Sequence, residues 1–449
     1  MGRLFGTDGI RGVANRYPMD GATAFSVGQA VVHLMKEKAR TPRVIIGRDT
    51  RISGPMLEHA LAAGITSMGG DPLLTGVLPT PGVARLCSSM AVDAGLVISA
   101  SHNPYEDNGI KVFSGTGFKL SDTEEEAIER LILGGGLREM VPPPAEMGRG
   151  TGVEDALNIY VDFLKGCFPA HLSMKGMRIV LDTSNGATFE AAPALFSELG
   201  ADVRVLHNRP DGTNINLDCG SQYTEDLQRH VTQFGAALGL AFDGDGDRLI
   251  AVDEAGRELS GDRIMLICAL DLKDLNRLKN NQVVSTVMSN LGFISACKAF
   301  GLKHHASKVG DRYVMEDMRR LGAVIGGEDS GHLIFLEHHT TGDGILAALQ
   351  LIAAMLRQGK SLSELADAMT VYPQVLINVN VSWKPALSTL PEVVQAIQEA
   401  EMALGDEGRV LVRYSGTQDV CRVMVEGPTR QFTEMQCTRI AEAVKRAIQ

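Results

Sequence analysis

Residues 238–248 read Leu-Gly-Leu-Ala-Phe-Asp-Gly-Asp-Gly-Asp-Arg. A short continuous apolar run that breaks into alternating aspartate and glycine is the pattern of a strand covered on both faces that empties into a polar loop. The glycines let the backbone turn tightly. Asp243, Asp245 and Asp247 then crowd three carboxylates into one loop, where they repel one another unless a cation sits between them. Hard oxygen ligands of this kind suit Mg²⁺, Mn²⁺ or Ca²⁺.

The same rhythm occurs twice more. Val44-Ile45-Ile46-Gly47-Arg48-Asp49 leads on to Leu96-Val97-Ile98 and the loop Ser99-Ala100-Ser101-His102-Asn103-Pro104. Val283-Val284-Ser285-Thr286-Val287 leads on to Ala323-Val324-Ile325 and Gly326-Gly327-Glu328-Asp329-Ser330-Gly331-His332. Such runs predict three related α/β domains with mainly parallel sheets, whose ligand loops lie beyond the carboxyl ends of the strands. The tail differs. Leu376, Asn378 and Asn380 alternate with Val375, Ile377, Val379 and Val381, as in a half-exposed strand. A helix over 390–404, strands at 409–412 and 422–425 and a closing helix complete a smaller α+β domain. With Pro142-Pro143-Pro144, Glu254-Ala255-Gly256 and Tyr372-Pro373 as punctuation, the expected domains are 1–150, 151–255, 256–371 and 372–449. If their loops face a common centre, one cleft would collect all the polar motifs.

Bulk properties narrow the function. A chain of 449 residues is too long for one core. Its net charge of −11 argues against a nucleic-acid groove. An anionic substrate must therefore be gripped by local Arg and Lys. The seven cysteines form no CxxC pair and read as reduced core thiols of a cytoplasmic protein. The beginning of the sequence shows no apolar signal core. The apolar run at 344–356 is too short for a bilayer and predicts a buried helix, so no membrane partner is expected.

Each remaining motif has a plain competitor. Ser101 offers a hydroxyl beside the carboxylate loop in function, or merely caps a turn. The aspartate loop resembles half of a helix–loop–helix calcium site, with Glu254 at the twelfth place. Arg248, however, stands where that site needs glycine, and the flanks read as strands. Arg413-Tyr414-Ser415-Gly416-Thr417, with Arg422 nearby, has the guanidinium and hydroxyls that suit a phosphate. Glu328 and Ser330 could read sugar hydroxyls. Lys111, in Asn108-Gly109-Ile110-Lys111, could carry protons. Arg11 lies between Gly9 and Gly12, His332 could be a core histidine, and His304-His305 reads as a surface pair.

In combination, Phe5-Gly6-Thr7-Asp8-Gly9-Ile10-Arg11-Gly12, the Ser101 loop, the Asp243 loop, Gly327-Glu328-Asp329-Ser330-Gly331-His332 and Arg413-Tyr414-Ser415-Gly416-Thr417 occur in that order. This set resembles the α-D-phosphohexomutase superfamily over the whole chain. Val309-Gly310-Asp311-Arg312-Tyr313-Val314 and Thr340-Thr341-Gly342-Asp343-Gly344 are most similar to its bacterial phosphoglucosamine mutase branch. The resemblance implies four domains around a cleft and an isomerase. Ser101 would be a phosphoserine. One Mg²⁺ would be held by Asp243, Asp245, Asp247 and the Ser101 oxygen, with Arg248 and Arg11 beside the moving phosphate. Lys111 and His332 would have acid–base or substrate-contact roles. Glu328 and Ser330 would read the sugar, and Arg413, Ser415, Gly416 and Thr417, with Arg422, would hold the distal phosphate.

The implied partner is a phosphorylated hexosamine, glucosamine 6-phosphate, converted to the 1-phosphate through a hexose 1,6-bisphosphate. The assembly is left open, with a homodimer allowed for. Two positions depart from the family pattern: Gln418-Asp419 follows Thr417 where Glu-Pro is usual, and Asp329 replaces the usual Gln or Met. The alternatives are a phosphomannomutase or phosphoglucomutase, and a non-catalytic calcium or sugar-phosphate binding protein.

Overall fold

The computed structural model describes residues 4–6, 8–36, 41–415 and 419–448. They form four sheets in two compact units. The first unit comprises residues 1–287 and 303–367, and the second 288–302 and 368–449.

The first unit holds three α/β sheets. The largest has seven strands, in the order Phe5–Gly6, Gly9–Val13, Asp107–Ser114, Ala94–Ile98, Arg43–Arg48, Asp71–Val77 and Thr151–Gly152. The next runs Glu258–Leu259, Leu249–Asp253, Leu238–Phe242, Arg178–Asp182, Asp202–Leu206, and the third Lys303–Ser307, Gln282–Thr286, Ile325–Gly327, Leu333–Phe335. Each has a parallel core of buried Val, Ile and Leu, as the sequence predicts. Each also carries an antiparallel return that the sequence reading does not anticipate: Asp107–Ser114 on Ala94–Ile98, Leu249–Asp253 on Leu238–Phe242, and Leu333–Phe335 on Ile325–Gly327. The reason is loop length. The connections 99–106, 243–248 and 328–332 are too short for a parallel crossover, which needs about a dozen residues. All three chemistry-bearing loops are therefore tight reversals at the carboxyl end of a core strand, which fixes both of their ends.

Helix starts follow the local chemistry. Ser121 and Glu124 form a reciprocal capping box ahead of the helix Asp122–Gly134. The apolar run at 344–356 is the helix Gly344–Gln358, buried from Gly344 to Met355. Among the described residues no helix is long and apolar enough to cross a membrane. Thr151–Gly152 pairs with Asp71–Val77, so the strand after the Pro-rich stretch still belongs to the first sheet.

The second unit is a three-stranded antiparallel sheet, Gln374–Asn380, Val420–Glu426, Arg409–Tyr414, packed with the helices Pro391–Leu404 and Arg430–Ile448. Leu376, Asn378 and Asn380 face solvent, as their alternation predicts. The helix Leu291–Ala299 also belongs here. Asn290 Nδ2 donates to the Tyr372 carbonyl at 2.9 Å, and the Leu291 N–H donates to Glu426 Oε2 at 2.9 Å.

Candidate active site

The strand Ala94–Ile98, buried throughout, delivers Ser101 into a site where the residue is 1% exposed. Its φ is +55°, a left-handed conformation that costs a non-glycine residue about 1–3 kcal/mol and persists only when the surroundings enforce it. The enforcing contacts are visible. The Ser101 N–H donates to Ser99 Oγ at 2.9 Å, and Ser99 Oγ donates to Asp49 Oδ2 at 2.6 Å. Arg51, wholly buried and paired with Asp49 at 2.9 Å, donates to the carbonyls of Ser101 (3.0 Å), Asn103 (2.8 Å) and Pro104. Asn216 Nδ2 adds bonds to the Ser101 and Asn103 carbonyls at 2.9 and 3.0 Å.

The Ser101 hydroxyl donates to Asp243 Oδ2 at 2.5 Å. Asp243, Asp245 and Asp247 offer ligand atoms within 4.8 Å of one another, all buried. A Cβ at position 244 would meet the Ser101 carbonyl at 2.6 Å, so only glycine lets the two loops approach. Asp245 Oδ2 accepts from Thr80 Oγ1 (2.6 Å) and Lys111 Nζ (2.8 Å). Among the described residues, Asp245 Oδ1 and Asp247 Oδ1 are buried without a hydrogen-bond partner. Orphaned anionic oxygens beside a serine hydroxyl are the donor set of a hard divalent cation, and the residues fit one. Burial pushes the Asp243 carboxyl well up, with Asp247 and Asp245 adding to the effect. This is the repulsion that a cation would relieve. The loop is not a helix–loop–helix calcium site. Its flanks are strands, and Glu254 instead accepts the Ser363 hydroxyl.

Cationic groups surround the acids. Lys111, on the return strand Asp107–Ser114, lies 2.8 Å from Asp245, 3.3 Å from Asp247 and 3.2 Å from Asp8. Burial opposes its charge, but those three carboxylates outweigh burial and hold the amine well above its ordinary value. The Arg248 N–H donates to Asp243 Oδ1 at 3.1 Å, while its side-chain Nε, like Arg11 Nε, is buried with no hydrogen-bond partner among the described residues. Two guanidiniums with unmet donors beside the serine suit a dianionic group. His102 sits beside Ser101, its Nδ1 3.4 Å from Oγ, and burial with Arg248 pushes it down to about 4.

The third sheet's loop meets the other two. His332 Nδ1 lies 3.6 Å from Asp247 and Nε2 3.6 Å from Asp311, and the Gly342 N–H points at Nε2 from 3.2 Å. The Leu249 N–H donates to the Gly331 carbonyl at 3.0 Å, tying this loop to the strand after the aspartates. Glu328 Oε1 accepts the Gly310 N–H at 3.0 Å, and Ser330, exposed, has its hydroxyl 3.4 Å from Glu328 Oε2. Ser101, Lys111, Arg11, Arg248, His332 and the three aspartates thus share one neighbourhood.

The second unit has its own cationic group. Arg413 and Arg422 are cross-strand partners. Burial, and then Arg422, lower Arg413. Lys384 Nζ donates to the Ser415 carbonyl at 3.2 Å and pairs with Asp419 at 3.2 Å. Gly416 and Thr417, expected in the same loop, lie outside the described residues.

Several site residues carry little signal in the sequence. Asp8 pairs with Lys111, Arg11 and Lys119, and Lys119 bridges Asp8 and Asp311. Thr80 and Asn216 bond partners distant in the chain, and Arg51, though paired with the nearby Asp49, sends its remaining bonds to distant carbonyls. Asp8 and Asp311 fall inside quoted motifs, which is the one signal that pointed to them.

Comparison with known proteins follows the same order of domains along the chain. The phosphoglucomutase/phosphomannomutase family models match in order: alpha/beta/alpha domain I at residues 2–138, domain II at 158–256, domain III at 260–372 and the C-terminal domain at 376–443. A phosphoglucosamine mutase of Syntrophobacter fumaroxidans is 65% identical over 100% of both chains. One of Syntrophus aciditrophicus is 55% identical over 99% of both. A phosphoglucomutase/phosphomannomutase family protein of Burkholderia thailandensis has the same fold, with TM-score 0.79 at 23% identity over 98% of this chain and 97% of that one. So has an Aspergillus fumigatus N-acetylphosphoglucosamine mutase, solved with GlcNAc-6P and magnesium, with TM-score 0.70 at 18% identity over 100% of this chain and 96% of that one. From its beginning to its end, the chain belongs to the phosphoglucomutase/phosphomannomutase family, within the group of the phosphoglucosamine mutases.

Proposed function

We propose that this isomerase moves a phosphoryl group between the 6- and 1-hydroxyls of glucosamine, using Ser101 as the carrier. The carrying observation is the Ser101 hydroxyl hydrogen-bonded to one member of a buried aspartate trio, 2.5 Å from Asp243. Phosphoryl transfer needs positioning and charge neutralisation above all. Ser101 is fixed by its backbone bonds, and Arg11 and Arg248 bring guanidiniums to the same place.

The cycle starts from phospho-Ser101. The free hydroxyl of glucosamine 6-phosphate attacks phosphorus. The bond from phosphorus to the serine oxygen breaks as the new ester forms, and the attacking hydroxyl's proton passes to the neutral imidazole of His332, while Lys111, held as an ammonium by its three carboxylates, offsets charge beside the moving group. The resulting 1,6-bisphosphate turns end for end. Its other phosphoryl group returns to Ser101, and glucosamine 1-phosphate leaves.

Asp243, Asp245 and Asp247, with the Ser101 oxygen, would hold Mg²⁺, which when bound neutralises charge on the transferring phosphoryl oxygens. Glu328 and Ser330 read hydroxyls available in both orientations. Arg413 and Arg422, with Ser415, Gly416 and Thr417, grip the phosphate that is not being transferred. The seven free, buried thiols support a reducing, cytoplasmic setting.

The substrate rests on whole-chain similarity to phosphoglucosamine mutases, at 65% and 55% identity. Side-by-side turnover of glucosamine, mannose and glucose phosphates, primed with the corresponding bisphosphate, tests it. Glucosamine should be preferred. Faster turnover of the mannose or glucose ester would reassign the chain to that activity.

A further inference from the structure

Three chemically different side chains converge in the second sheet, apart from the aspartate trio. Asp182 ends the strand Arg178–Asp182, His207 follows the strand Asp202–Leu206, and Cys219 precedes the turn Gly220–Gln222. One ligand atom from each lies within 4.8 Å of the others. Ligands on a tetrahedral ion with bonds of about 2.0–2.3 Å sit roughly 3.5 Å apart, so a modest contraction closes the set on one ion.

The groups are oriented for that purpose. Asp182 is fully buried, with Oδ1 accepting the Ser184 N–H and Oδ2 the Gly220 N–H, both at 2.9 Å. His207 Nδ1 lies 3.1 Å from Asp182 Oδ2, yet it is a buried nitrogen with no aligned hydrogen bond among the described residues. The other nitrogen, Nε2, faces Asp226 Oδ2 at 3.4 Å. A carboxylate behind the imidazole in this way fixes the tautomer that leaves the opposite nitrogen free to ligate. Cys219 is 1% exposed and free of any disulfide. Burial, followed by Asp182, Asp218 and Asp226, pushes its thiol up, so the thiolate forms there only opposite a cation.

We propose that Asp182, His207 and Cys219 form a second metal site, selective for Zn²⁺ over Mg²⁺, with the fourth position open to water. A thiolate and an imidazole beside a single carboxylate favour zinc, whereas the all-oxygen aspartate trio favours magnesium. The two sites are linked through the chain. Asn216, which bonds the Ser101 and Asn103 carbonyls, lies between His207 and Cys219. An ion on this set clamps both ends of the segment that supports the Ser101 loop. Binding displaces the thiol proton of Cys219, and that of His207 when it is an imidazolium, so affinity falls as pH is lowered.

The test uses the full chain, stripped with a chelator and then saturated with Mg²⁺ to fill the aspartate trio. Co²⁺ is the spectroscopic probe. One equivalent should give a thiolate-to-cobalt charge-transfer band that Zn²⁺ abolishes by displacement. Cys219→Ser should lose the band, and Asp226→Asn should keep it while binding about 10–100-fold more weakly. If Cys219→Ser does not fold by circular dichroism, His207→Gln takes its place and should weaken Co²⁺ binding at least as much as Asp226→Asn. No thiolate band in the wild type at saturating Co²⁺, or an unaltered band in the folded substitution variant, overturns the proposal.

Discussion

The Ser101 hydroxyl donates to Asp243 Oδ2 at 2.5 Å across 142 residues of sequence. Each residue sits on a reversal at the carboxyl end of its own sheet's core strand, so the contact joins two separately built platforms. Lys111 fastens the same two platforms a second time through Asp245 and Asp247. The Ser101 hydroxyl is thereby held against the acids before any substrate arrives, which under the proposed mechanism leaves little to reorganise during transfer.

Asp245→Asn tests the acidic loop. Asp245 Oδ2 takes both the Thr80 hydroxyl and the Lys111 ammonium, and its Oδ1 is an orphan. The substitution should lower kcat and raise the Mg²⁺ concentration needed for half-maximal rate. A Mg²⁺ titration that superimposes on the wild type counts against the loop as the metal site.

Arg51→Ala tests the support of Ser101. It strands the Asp49 carboxylate in a fully buried position and withdraws three bonds from the Ser101 loop. Breaking a buried pair from one side costs about 3–5 kcal/mol. Chemical denaturation should show a loss of that order, together with a lower kcat. A loss below about 1 kcal/mol with normal turnover would show that the loop does not depend on Arg51.

The division between what the sequence discloses and what it hides has a physical basis. Asp-Gly alternation, a serine before His-Asn-Pro and paired arginines in a strand hairpin are local patterns, and the three chemical loops and the half-exposed strand at Val375 were legible for that reason. The antiparallel returns were not, because the apolar runs Leu249–Asp253 and Leu333–Phe335 look alike whichever way they pair. Lys111 reads as an ordinary strand lysine until three carboxylates from distant segments surround it. His304 and His305, read as a surface pair, are half-buried and part company, one on Ser285 Oγ at 2.7 Å and the other on Asp317 at 3.0 Å. Through-space partners leave no mark on a single sequence.

Arg413→Ala tests the phosphate grip. A charge-assisted bond contributes about 1.5–3 kcal/mol, so KM for the phosphosugar should rise about 10–100-fold while kcat changes little. That split is the signature of binding shared by ground and transition states. A fall in kcat at constant KM would contradict the assignment.

Asp343→Asn tests a buried carboxyl. Burial pushes Asp343 up to about 7, against the bonds it accepts from the Leu346 N–H and the Tyr160 hydroxyl at 2.9 Å each. A folded value above the unfolded one means that its contribution is full at low pH and is lost as pH rises through about 7. The asparagine variant does not titrate there. Its stability relative to the wild type should therefore grow by about 1–3 kcal/mol between about pH 5 and pH 8. Parallel pH profiles of the two proteins would contradict the assignment.

The most direct measurement concerns Ser101 itself. Purified protein incubated with glucosamine 1,6-bisphosphate and Mg²⁺ should gain the mass of one phosphoryl group, map it to the peptide carrying Ser101, and give it up to glucosamine 6-phosphate in a single turnover. Ser101→Ala should keep the fold, carry no phosphoryl group and lose at least about 10³-fold in mutase rate. A phosphoryl group found elsewhere, or turnover by Ser101→Ala near the wild-type rate, contradicts the account.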